Sequence, residues 1–114
     1  MKLIVAAEGK SWAPGGHAGA MSRHIACAAD GAQHMEVHTS TIKPGGGSML
    51  ERHSDSEQLF MVLEGELTFF DADHNELLAG PGAAVFVPVD DPHATVNRGT
   101  VDAVCLVITS PPIQ

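Results

Sequence analysis

Apolar and polar residues alternate along this chain in short runs, and turn-forming residues interrupt the runs at near-regular intervals. The pattern predicts about nine strands, over residues 3–7, 22–27, 36–42, 48–53, 58–63, 66–70, 83–87, 93–97 and 101–108. Between them, Pro44-Gly45-Gly46-Gly47, Glu64-Gly65, Asp71 to Asn75, Gly80-Pro81-Gly82 and Asp90-Asp91-Pro92 can each reverse the chain. Gly65-Glu66-Leu67 reads as a hairpin turn and Asp71 to Asn75 as another. No segment sustains a helical period, and only Ala26 to Ala32 could make a helical turn.

Many short antiparallel strands must close on themselves or pack as two sheets, because an open sheet exposes unpaired edges. The expected class is all-β, a small barrel or jelly roll. No shift of composition marks a linker, so the 114 residues form one expected domain, with residues 11–16 and 110–114 as arms. A domain this small buries a modest fraction of its surface and gains from pairing.

Fourteen acidic against six basic residues give a net charge of -8, a field that repels nucleic acid and anionic membranes. No run is long enough to span a bilayer or serve as a signal core, so a soluble, cytoplasmic protein is expected. Cys27 and Cys105 are too few for a disulfide framework. The seven histidines point elsewhere, since imidazole is the commonest metal ligand.

Glu51 and His53 are two residues apart on an expected strand and therefore share a face. Gln58 can lie beside them on the following strand, and His93 opens a later one. Glu51 and His53 thus bring two metal-competent side chains together. His34, Glu36 and His38 alternate along one strand and could form a second cluster, with His38 placed to touch a substrate. Arg23 could grip a substrate carboxylate through paired hydrogen bonds, and Phe60 would help to wall an apolar pocket beside the metal. His17 and His74, in Gly-rich or polar turns, read as solvated.

The spacing of these residues resembles that of the cupin superfamily, small double-stranded β-helix (jelly-roll) barrels built around two motifs. The first family motif runs Gly, five residues, His-x-His, three or four residues, Glu, six residues, Gly; here Gly45, Glu51-Arg52-His53, Gln58 and Gly65 keep that spacing. The second runs Gly, five residues, Pro-x-Gly, two residues, His, three residues, Asn, and Gly82, Pro88-Val89-Asp90, His93 and Asn97 keep it too. Asp90 stands where the family has Gly. The motifs occupy about 45–65 and 82–97 of a single cupin domain, 1–114.

The resemblance implies a metal site at Glu51, His53, Gln58 and His93, two of them changed from the family's three His and one Glu. One nitrogen donor is thus exchanged for oxygen, which favours iron, with manganese, nickel or zinc as alternatives, over copper. Gln58 would be a weak fourth ligand, or a partner outside the coordination sphere. Glu51 is also the candidate catalytic residue, as ligand or as general base. The expected function is a metal-dependent enzyme on a small molecule, a non-haem dioxygenase-like oxidoreductase. A redox-neutral sugar-acid isomerase or lyase is the second reading, and a non-catalytic ligand-binding barrel the third. A homodimer is implied by the family.

Overall fold

The computed structural model describes residues 1–113 and contains strands and two 3-10 turns among them, with no α-helix. The strands are β1 (Ser11–Trp12), β2 (His17–Ala26), β3 (Glu36–Ser48), β4 (Glu57–Glu64), β5 (Leu67–Phe70), β6 (Glu76–Ala79), β7 (Ala84–Val87), β8 (Ala94–Val96) and β9 (Ala103–Ser110). All pairings are antiparallel, in the order β6-β5-β8-β3-β9-β4-β7, with β2 laid along β3 and β1 along β2. The strands curl into a near-closed jelly-roll barrel, as the patterning predicts. No described helix is long and apolar enough to cross a membrane.

Side-chain alternation explains what the barrel encloses. Along β9 every second residue is buried, namely Ala103, Cys105, Val107 and Thr109. Cross-strand register extends these positions into rows. Glu36, Thr109 and Gln58 form one row across β3, β9 and β4; His38, Val107 and Phe60 form the next. Ser40, Cys105 and Val62 form the third, so the interior passes from polar at one end to apolar at the other. At the apolar end Val62 and Leu67 are fully buried with Phe69, Ala79 and Ala103. Asn97 is also fully buried. Its Nδ2 donates to the carbonyls of Ile42 and Val101, and its Oδ1 accepts from the Gly99 amide.

Several expected boundaries move. Residues 3–7 form no strand; a 3-10 turn, Ala6–Glu8, lies there, and Leu3 is 91% exposed, because a five-residue run without a neighbouring strand has nothing to pair with. The supposed arm contributes β1, which pairs with β2. The expected strand over 48–53 ends at Ser48. The Pro44 to Gly47 segment does not reverse the chain. It is a bulge inside β3, where register jumps from Ala20↔Ile42 to Ala18↔Gly47. Glycine serves close approach there, since a Cβ on Gly47 would collide with the Thr95 carbonyl. Nor is 65–67 a hairpin: β4 pairs with β7 and β9, β5 with β6 and β8, so the turn crosses between layers. The hairpin expected at Asp71 to Asn75 does form, joining β5 and β6, and the Asp71 carboxylate accepts from the amides of Asp73 and Asn75.

Candidate metal centre

Glu51 lies beyond the end of β3 and His93 just before β8, and the two form a single antiparallel bridge. The Glu51 amide donates to the His93 carbonyl and the His93 amide to the Glu51 carbonyl, both at 2.9 Å. Residues paired this way project on the same side about 5 Å apart, which brings the two motifs' donors together. His53 follows two residues on and is held by a second tie, the Asp90 amide donating to its carbonyl at 2.8 Å. Asp90 has φ 63°, a left-handed conformation that aspartate tolerates and glycine favours, which explains how it can replace the family's glycine.

One potential ligand atom from each of Glu51, His53 and His93 lies within 4.8 Å of the others. The His93 Nδ1–H donates to the Asp91 carbonyl at 2.9 Å, which leaves the lone pair on Nε2. That Nε2 is buried and has no hydrogen-bond partner, and neither has the buried Gln58 Oε1. Unpaired buried polar atoms are costly, and a cation at the cluster would complete His93 Nε2. Gln58 Nε2 is already committed to Thr109 Oγ1 at 3.1 Å, which turns the carbonyl oxygen outward from that bond. The residues present therefore fit a divalent ion bound by two imidazoles and one carboxylate. Burial lowers the His53 pKa, Glu51 opposes that shift, and His93 adds to it, so the ring is kept neutral and able to ligate.

The sequence reading missed His17. It is half-buried, not solvated; its Nδ1–H donates to the Gly15 carbonyl at 2.8 Å and its Nε2 lies 3.9 Å from Glu51 Oε1. His53 Nε2 stands at 3.8 Å from the same oxygen. Plain alternation along β2 would set His17 on the face opposite Ala20 and Ser22; the register shift between Ala18 and Ala20 brings all three to one cavity.

A cavity of about 280 Å3 adjoins the centre and is lined by Glu51, His53, Gln58, Phe60, His38 and Trp12 among others. Phe60 packs 5.8 Å from the His93 ring and 5.4 Å from Phe69. His38 lies under the edge of Trp12, whose face stacks on His24 at 4.1 Å. Burial pushes the His38 pKa down to about 4, with His24 and His17 adding to the effect. The structure moves Arg23 out of this account: its Nη1 donates to the carbonyls of Ala7 and Gly9, and the residue does not line the cavity. His34 is exposed, so of the alternating trio only Glu36 and His38 reach the cavity. Cys105 also lines it, but burial raises its pKa to about 11, so it is apolar wall and not a thiolate ligand.

Fold and site together define a small antiparallel barrel whose polar end carries a two-histidine, one-carboxylate cluster. The family model for the Cupin domain matches residues 38–109, and the chain belongs to that family. Among curated proteins, Auxin-binding protein 1 of Arabidopsis thaliana is 32% identical over 93 residues, 74% of this chain and 46% of that protein. The chain thus spans about half the length of that relative. Among solved structures, the polyketide cyclase RemF from Streptomyces resistomycificus superposes with a TM-score of 0.87 at 24% identity, covering 98% of this chain and 80% of RemF. A predicted oxalate decarboxylase from Thermotoga maritima gives 0.85 at 18% identity, covering 97% and 100%. At these identities both show the fold alone.

Proposed function

We propose that this cupin is a metal-dependent enzyme acting on a small organic molecule, with Glu51, His53 and His93 as ligands and iron as the preferred ion. The observation that carries the reading is the buried, unpartnered Nε2 of His93, fixed as a lone-pair donor beside two further donors. When bound, the ion would supply Lewis acidity and, as iron, a redox centre for oxidoreductase chemistry with dioxygen. The chain's own part is positional. The Glu51–His93 bridge sets the spacing of the two motifs, Asp91 fixes the His93 tautomer, and Phe60 and Val107 keep the adjoining wall apolar.

A second reading is redox-neutral proton transfer, favoured by the free Glu51 carboxylate with imidazoles at 3.8 and 3.9 Å on either side. A third is ligand binding without turnover, in keeping with the auxin-binding name of the curated relative. Pairing as a homodimer belongs to the same proposal: edge strands β6 and β7 expose Leu77, Leu78 and Phe86, and sedimentation equilibrium reports the mass directly.

Protein isolated without oxygen is expected to hold about one equivalent of metal, and His53→Ala and His93→Ala to lose it. Undiminished metal in both variants would overturn the proposal. Oxygen uptake on adding candidate substrates supports the oxidoreductase, whereas turnover under argon moves the assignment to proton transfer.

A further inference from the structure

The cavity contains a second carboxylate that the metal centre does not use. Glu36 begins β3, is 9% exposed and lines the cavity. Its one hydrogen bond comes from the Ile113 amide to Oε1, at 3.4 Å, and no Lys or Arg pairs with it among the described residues. A nearly buried carboxylate without a cation is costly to keep, which makes its placement informative.

The chain's basic residues leave it uncompensated. Arg23 is tied to backbone carbonyls, Arg52 faces Asp90, and Arg98 pairs with Glu76. Lys2, Lys10 and Lys43 are exposed, and no Lys or Arg is among the residues lining the cavity. The row Glu36–Thr109–Gln58 puts the Glu36 backbone two strands from that of Gln58, roughly 10 Å by the usual ladder spacing. Thr109 lies between these ends in the row; Phe60, Val107 and, deeper, Ile42 line the cavity below it, and Trp12 lines it together with Glu36. Counted by formal charges, a divalent ion with Glu51 and Glu36 sums to zero, so the cavity offers no net positive charge to a doubly negative ligand.

We propose that Glu36 determines the specificity of this cavity. The ligand it selects is a small aromatic molecule that places an oxygen at Glu51, His53 and His93, presents a hydroxyl donor to the Glu36 carboxylate, and carries no negative charge at that end. Dicarboxylates and phosphorylated compounds of similar size are excluded. The oxygen-binding half rests on the metal reading above; the Glu36 half does not.

Trp12 is the only tryptophan, and the chain has no tyrosine, so its emission reports occupancy at the Glu36 end. The test titrates three symmetric probes, 1,4-benzenedimethanol, its dimethyl ether and terephthalate, into zinc-loaded protein. The diol is expected to bind at least tenfold tighter than the ether, and terephthalate weakest. In Glu36→Gln the terephthalate-to-diol affinity ratio should rise at least tenfold with zinc stoichiometry unchanged, while Glu36→Asp should still exclude terephthalate. Terephthalate binding to the unaltered protein as tightly as the diol, or a ratio within twofold in Glu36→Gln, would overturn the assignment. Should that variant not fold, the diol-to-ether and terephthalate comparisons on the unaltered protein and on Glu36→Asp decide. If the protein takes up no zinc, the metal reading fails separately, and the preference for diol over ether in metal-free protein decides the role of Glu36.

Discussion

The two ends of the barrel are built from the same strands and bury opposite chemistry. On β4 the inward side chains run from Gln58 through Phe60 to Val62, and on β9 from Thr109 through Val107 and Cys105 to Ala103. The apolar end is filled with Val62, Leu67 and Phe69. The polar end keeps a cavity, two carboxylates and two buried polar atoms without partners. The contrast separates labour along each strand: dispersion and burial at one end hold the register, and that register holds unsatisfied groups in place at the other.

The sharpest way to break this division is Leu67→Ala. Loss of a fully buried leucine at the apolar end should cost about 2–5 kcal/mol in urea unfolding. Metal uptake per folded molecule should stay the same. His93→Ala should do the reverse, and a shared loss of metal and stability in both variants would erase the distinction.

A smaller effect concerns pH. With a folded pKa of about 4 against an ordinary 6.5, His38 takes up its proton more readily in the unfolded chain. Its contribution is therefore neutral above pH 6.5, and stability falls as the pH drops from 6.5 towards 4, by about 3 kcal/mol in all. His38→Asn should flatten that slope in denaturant midpoints measured between pH 7 and 4.5; an unchanged slope would mean that the ring is not held neutral at the polar end.

The smallest concerns Asp90. Asp90→Gly relieves a left-handed residue and removes an exposed ion pair with Arg52, so the two changes nearly offset, to within about 1 kcal/mol. A large loss of metal binding on this substitution would show that the Arg52–Asp90 contact, not the turn itself, positions His53.

Much of the site was readable before any fold. Motif spacing named Glu51, His53 and His93, the three donors that the fold gathers, because a bridge between two turns demands fixed lengths on either side of it. What spacing could not show was which further residues share the interior. His17 follows a glycine turn, Gly15-Gly16, yet itself opens a strand, and Arg23, on the same strand, turns to backbone carbonyls. The glycines at 45–47 pose a related ambiguity: a missing side chain serves close approach as well as reversal, and only neighbouring backbone tells them apart.

The sequence by itself determined the all-β class, the motif spacing and the donor types, since alternation and turn chemistry act over a few residues. Tertiary structure alone decided that Glu36 shares a cavity with Glu51 and that His93 Nε2 is left without a partner. Those facts depend on which strands lie side by side, and the pairing is settled by burial summed over the whole barrel.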